Sequence, residues 1–243
     1  MSQKIKNPNE KGSGFIVGII ALIAIVAVVI GVVLYMGRNQ PIEGLPDEDV
    51  AFSIETEGSV IRLASDDAGD DAVVAEVYED YSCPHCGTMA TEGHADQLEA
   101  LNNGDIIVEY HTLNFMDRGS EGHSTKTLAL MERIAETGDA RLFWNVHTMM
   151  MEDINQAASW DSEQLAERLD MMDAPSDLVD DVRNGLDLSG AKESGTANGE
   201  RLNGIIGSIS SPHVIVDGND VLQNVQQGGL GEWVNAALEA GRA

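Results

Sequence analysis

The sequence predicts an α/β domain carried behind one membrane-spanning helix, and three observations lead there. Residues 15–36 form an unbroken run of 22 apolar or glycine residues. A strand-like run, 72–78, and a helix-like run, 88–101, bracket the chain's two cysteines in Cys83-Pro84-His85-Cys86. A long block of helical periodicity, 124–204, then interrupts the strands before they resume at His213.

The apolar run comes first. At about 1.5 Å per residue it reaches roughly 33 Å, enough for a bilayer core. Lys4, Lys6 and Lys11 precede it, and Arg38 with Glu43, Asp47, Glu48 and Asp49 follow. The basic flank stays in the cytoplasm and the C-terminal part faces outward. A cleaved signal peptide has an apolar core of about 7–15 residues and a small-x-small exit. Met36-Gly37-Arg38-Asn39-Gln40 offers no such exit. The expected organisation is a cytoplasmic tail 1–14, a transmembrane helix 15–36, a polar linker 37–50 with Pro41 and Pro46, and one domain, 51–243. The cell membrane is the expected location, single-pass, with the domain extracytoplasmic.

Residues 37–243 hold 40 of the 41 acidic residues and 11 of the 14 basic ones, a formal charge near −29. Phosphate backbones are repelled by such a surface, which excludes nucleic acid as a partner.

The domain's elements follow in order. Residues 51–63 alternate as strands, with Phe52 and Ile54 one apolar pair and Ile61 and Leu63 another. An acidic, turn-rich loop, 64–71, leads to the strand 73–78. After the helix comes a second strand, 106–113; strand, helix and strand at this spacing make a right-handed parallel unit. The helical insertion, about 120–205, has its own punctuation. Leu128, Met131 and Ile134 share a face, and Gly138 ends that helix. Asp139 caps the next, which carries Leu142, Phe143, Val146 and Met150. Asp161 with Gln164 forms a capping box, and Pro175 separates a short helix ending near Gly185. A further helix covers 191–206. Strand 213–216, a turn at 217–220 and a partner strand 221–225 form a hairpin. An amphipathic helix, 230–240, closes the chain with Trp233, Val234, Ala237 and Leu238 inward.

The chemistry is concentrated in the cysteines. A thiolate, not a thiol, attacks disulfides and leaves from them. Cys83 at a helix N-terminus has unpaired N–H groups and the positive end of the dipole aimed at its sulfur. Pro84 fits the first helical position, where no N–H partner is needed. His85 adds a donor or positive charge, and Cys86 lies one turn deeper. Two cysteines with two residues between them close almost no loop, which argues against a structural staple. They cannot fill a tetrahedral zinc shell without a second Cys-x-x-Cys, so no metal is expected.

Cys83-Pro84-His85-Cys86 after a strand, the long helical insertion, and Ser211-Pro212 leading into a strand hairpin resemble the DsbA-like disulfide oxidoreductases of the thioredoxin fold. The resemblance covers roughly 60–243. It implies a thioredoxin fold with a helical insertion, and a redox-active pair in place of any external cofactor. It implies that Cys83 attacks, Cys86 resolves the mixed disulfide, and His85 tunes the pair. It implies a cis Ser211–Pro212 bond beside that pair, with the Ser211 backbone pairing to an extended substrate. The implied clients are reduced exported polypeptides, and a quinone-linked membrane protein is the implied reoxidant.

One departure stands out. Thioredoxin-like proteins often carry a buried acid six residues before the first cysteine, and Val77 occupies that position. Glu76 is expected on the other face of the strand, and Glu79 and Asp80 as solvated acids near an exposed loop, the alternative being that one of them, or water, takes the place of that buried acid as proton acceptor for the resolving thiol. His213 is expected as a strand residue. His94, His111, His123 and His147 have no ligand spacing, and Met149-Met150-Met151 reads as core. The rival readings are an isomerase or reductase, or a non-catalytic chaperone or copper-handling module using the same thiols.

Overall fold

The computed structural model describes residues 18–26, 28, 44–225 and 229–242. The chain divides into two units, Met1–Pro41 and Ile42–Ala243. In the first, residues 18–26 form a helix, α1, with exposed side chains. Apart from residue 28, the rest of the anticipated span 15–36 lies outside the described residues, as do 1–14 and 37–43. Among the described residues no helix is long and apolar enough to cross a membrane.

The second unit is built on one sheet. Strands β1 (Ser53–Glu57) and β2 (Val60–Ala64) form a hairpin turned at Gly58, whose φ of 61° suits a residue without Cβ. Strand β3 (Val73–Tyr78) runs parallel to β4 (Ile106–Tyr110), with Val73 opposite Ile106 and Val77 opposite Tyr110. The crossover between them is α2 (Pro84–Glu92) and α3 (His94–Asn102). Strand β5 (His213–Val216) pairs antiparallel with the other side of β3, and β6 (Asn219–Asp220) follows. The order is β1-β2-β4-β3-β5-β6. The strand that delivers the cysteines is therefore central, paired along both edges by β4 and β5.

Period-2 alternation divides the sheet's faces. Val73, Ala75 and Val77 enter the large core with Leu63, Val108, Tyr110, Phe143, Trp144 and Trp233. Tyr78 faces the other way, with Leu113, Ile215 and Leu202. The first face is covered by α2, by α5 (Ala140–Glu152) and by α10 (Trp233–Gly241). The second is covered by α9 (Ser189–Ile206), which Arg201 ties to Glu76 and the Tyr78 hydroxyl.

The insertion between β4 and β5 is helical throughout. It comprises α4 (His123–Ala135), α5, α6 (Ile154–Ser159), α7 (Ser162–Met171), α8 (Ser176–Asn184) and α9. Asp139 caps α5 by accepting from the Leu142 amide, and Asp161 with Gln164 forms the capping box of α7. Met149, Met150 and Met151 are core residues of α5.

Three expectations need correction, and one helix was not anticipated. The helix anticipated over 88–101 is two helices broken at Gly93. A Cβ there would stand 2.5 Å from Trp233 Nε1 and 3.0 Å from the Met89 carbonyl. Helix α6 escaped notice because six residues carry too little periodicity. The strand anticipated over 221–225 is a 3-10 turn, because Asp220 accepts from the Leu222 amide and turns the chain after two paired residues. The linker anticipated to reach 50 is docked from residue 44. Leu45 and Val50 pack on the core, and the Glu48 carboxylate receives Trp144 Nε1–H at 2.9 Å and sits beside His94 Nε2.

The close approach at Gly93 yields a test. Gly93→Ala forces the indole or the helix junction to move, and we expect a loss of about 1–3 kcal/mol. Chemical unfolding followed by tryptophan fluorescence measures it; an unchanged midpoint would show that the junction yields freely.

Candidate functional site

The cysteine pair sits where β3 ends and α2 begins. Cys83 is the N-cap residue, with φ −91° and ψ 113°, and Pro84 follows at the first helical position. The Cys83 amide donates to the Asp80 carbonyl at 2.8 Å, which fixes the turn out of the strand. The Cys83 carbonyl accepts from the Cys86 and Gly87 amides, so the helix ladder starts at this residue. Both cysteines are free thiols; Cys83 is 5% exposed and Cys86 fully enclosed.

Their environments push the two sulfurs apart. The Cys86 thiol donates to the Cys83 sulfur and, against the cost of burial, brings Cys83 down to about 5. The Ser211 side chain and the backbone N–H groups of Cys86 and His85 add to this. Burial raises Cys86 well above an ordinary thiol, and the anion on its neighbour raises it further. The Asp80 amide, 3.5 Å from the Cys86 sulfur, works weakly in the other direction. One anion and one neutral thiol therefore share a site at neutral pH.

The strand after the insertion completes it. The Ser211–Pro212 bond is cis, and the Ser211 carbonyl lies 3.5 Å from the Cys83 sulfur. That carbonyl accepts from the thiol and has no attraction for the thiolate. The Ser211 hydroxyl, buried without a hydrogen-bond partner among the described residues, is the group free to donate to the anion. His213 belongs to β5: its Nδ1 lies 2.8 Å from Asp220 and its Nε2 2.8 Å from the Ser210 hydroxyl. It pins the loop ahead of Pro212 to the hairpin. His85 and Pro84 are exposed, and His85 reaches the sulfur through its backbone N–H.

Glu79 and Asp80 are not solvated. Glu79 is 1% exposed and Asp80 fully enclosed. The reason is that parallel pairing continues past Tyr78: the His111 amide donates to the Val77 carbonyl, and the Leu113 amide to that of Glu79. Burial raises the Asp80 carboxyl, while Ser124, the Ser82 amide and the Met116 amide pull it back. Glu79 lies 2.9 Å from His147 Nε2. The strand run extending to Leu113 held the signal, since its parallel partner must extend equally far. Glu76 faces α9, as its place in the alternation requires. His111 and His147 are core residues, His111 stacked on Tyr78 with ring centroids 4.7 Å apart.

Comparison with known proteins agrees with this geometry. The family model described as Thioredoxin matches residues 69–236. The solved MdbA protein, a thiol-disulfide oxidoreductase from Corynebacterium diphtheriae, is 32% identical, covering 79% of this chain and 95% of its own, with a TM-score of 0.72. Its namesake from Corynebacterium matruchotii is 29% identical, covering 78% and 92%, with a TM-score of 0.71. BdbD from Bacillus subtilis, 16% identical over 79% of this chain and all of its own, shares the fold with a TM-score of 0.54. Among curated proteins the serine/threonine-protein kinase PknE of Mycobacterium tuberculosis matches 60% of this chain at 24% identity, and the match spans 27% of the kinase's length.

Proposed function

We propose, starting from a chain that belongs to the thioredoxin family and is a protein thiol–disulfide oxidoreductase, that it works outside the cytoplasm and donates its Cys83–Cys86 disulfide to reduced exported polypeptides. The carrying observation is the Cys83 sulfur, brought down to about 5 and so an anion at neutral pH, beside a neutral, enclosed Cys86. Stabilising the reduced pair makes the disulfide the stronger oxidant. In the donor direction a client thiolate attacks Cys83, and the electron pair of the broken bond leaves on Cys86. A second client thiol then displaces Cys83 as a stable anion. Ser211 and Pro212 border the sulfur and offer backbone to an extended client.

The apolar run 15–36 with its basic flank supports a membrane anchor, which keeps the domain in the oxidising compartment. Reoxidation falls to a quinone-linked membrane partner; that part of the proposal rests on the family resemblance.

Trapping tests the reading. Cys86→Ala in the full chain removes the resolving thiol, so client disulfides accumulate on Cys83 and mass spectrometry identifies them. Adducts no more abundant than in the Cys83→Ser, Cys86→Ala double variant would refute it. A reduction potential near or below that of thioredoxin, about −270 mV, would remove the oxidase direction.

A further inference from the structure

A second set of reactive side chains is assembled by the closing hairpin. Strands β5 and β6 are joined by Asp217-Gly218, both at positive φ, 48° and 77°, a two-residue turn that suits the twist of an antiparallel pair. That turn sets Asp220 opposite Ile215. His213 precedes Ile215 by two residues and so shares its face, where its ring meets the Asp220 carboxylate. Ser210 enters from the loop ahead of β5.

The three side chains form one line. His213 Nδ1 stands 2.8 Å from Asp220 Oδ2, and His213 Nε2 stands 2.8 Å from Ser210 Oγ. The Asp220 side chain is 3% exposed and that of His213 20%. Ser210 is half-buried and follows Ile209, an apolar residue left 45% exposed. Burial works against the Asp220 carboxylate, but the His213 ring, the Leu222 amide and the Gln223 side chain hold it below the usual carboxylate range. An ionised carboxylate only accepts, so Nδ1 carries the ring hydrogen. Nε2 of the neutral ring is then an acceptor, and the Ser210 hydroxyl donates to it. The bonds that pin the loop thus leave a serine whose proton already rests against an oriented base. That is the arrangement of acid, base and nucleophile that activates a hydroxyl, recognised by geometry and not by chain order. The Ser211 amide follows the serine directly, the position from which a backbone N–H serves an acyl oxyanion.

We propose that Ser210, His213 and Asp220 form a second active site, which hydrolyses small carboxylic esters whose acyl group is apolar. The inference goes beyond the disulfide chemistry and does not depend on it. Ser210 Oγ attacks the ester carbonyl carbon while its proton passes to His213 Nε2, and Asp220 steadies the imidazolium. The carbon–oxygen bond of the ester then breaks, and the alcohol leaves with the proton from Nε2. Water, giving a proton to the same nitrogen, attacks the acyl-serine. The carboxylic acid departs and the proton returns to Ser210. Ester and water become acid and alcohol. Ile209 offers the neighbouring apolar surface for the acyl chain.

The full chain in detergent, oxidised so that Cys83 and Cys86 are joined and no thiolate competes, is treated with a biotinylated alkyl fluorophosphonate. This probe captures serines whose hydroxyl proton is taken by a base. One adduct is expected, located on Ser210 by mass spectrometry, and none on the urea-unfolded chain. The same oxidised chain should release nitrophenolate from p-nitrophenyl butyrate, and Ser210→Ala should abolish both signals. Asp220→Asn keeps an acceptor for the Leu222 amide but loses the charge that sets the tautomer. It should slow labelling by about 10⁴-fold, the cost of the wrong tautomer in a serine triad. Asp220→Glu, which restores the charge, should recover part of that rate. If Asp220→Asn does not fold, Ser210→Ala, which deletes a single oxygen, decides with the unfolded control. A parent that takes no label, a label on another residue, labelling that survives Ser210→Ala, or a rate indifferent to Asp220→Asn overturns the proposal.

Discussion

Cys83→Ser abolishes catalysed oxidation of reduced ribonuclease and removes an ultraviolet absorbance step that the parent chain shows near pH 5. The two losses have one cause. The sulfur at the start of α2 is the atom that enters the mixed disulfide, and an alkoxide does not replace it. Its titration, brought down to about 5 by the Cys86 thiol and by the amides of the first helical turn, leaves it ionised at neutral pH. The first attack in the parent should therefore gain little above about pH 6, where a free cysteine near 8.5 is still almost wholly protonated. A parent absorbance midpoint above neutrality would end the argument, because the pair would then have no reason to give up its disulfide.

The reduced chain gains stability between about pH 5 and about pH 8.5, and Cys83→Ser does not. A free cysteine titrates at about 8.5, and the fold brings Cys83 down to about 5. A depressed value means that the anion favours the folded state. The gain is absent below the folded value, grows through the interval and is complete above the unfolded one. At about 1.4 kcal/mol per pH unit it amounts to about 3 kcal/mol at pH 7. Cys86 acts with the opposite sign: burial holds it protonated, so above about pH 8.5 the unfolded chain ionises it and the fold loses ground. Stability of the reduced chain should peak at about pH 8.5. The disulfide form has neither group, so at neutral pH it should be the less stable by a similar amount, roughly 60 mV of oxidising power. Urea unfolding of both redox forms and of Cys83→Ser across this range measures it; parallel curves would contradict it.

Much of this architecture was legible because its causes are local. Cys83 before Pro84 marks a helix start whatever surrounds it, and the insertion carries its own caps at Asp139, at Asp161 with Gln164 and at Pro175. Ser211-Pro212 could be placed beside the cysteines only through family resemblance, since the strand order that brings them together is set by pairing across the whole sheet. What escaped sequence reasoning depends on distant partners. Gly93 breaks a helix because Trp233, from the far end of the chain, leans on it. Glu79 and Asp80 read as surface acids because His147 and Ser124, which enclose them, come from the insertion. Glu48 read as one charge in an acidic linker because Trp144 and His94 lie on two separate helices.

The docking of that last segment decides where the folded unit can be cut. Asn145 Oδ1 accepts from the Glu48 amide at 2.7 Å, and Asn145 Nδ2 donates to the Glu48 carbonyl at 2.9 Å. A truncated fragment starting at Ala51 would strip these partners and the carboxylate beneath the Trp144 indole, baring the enclosed amide of Asn145 and the apolar footprint of Leu45 and Val50. A fragment meant to keep the catalytic body intact should therefore begin no later than Gly44, with the seven residues ahead of Ala51 retained.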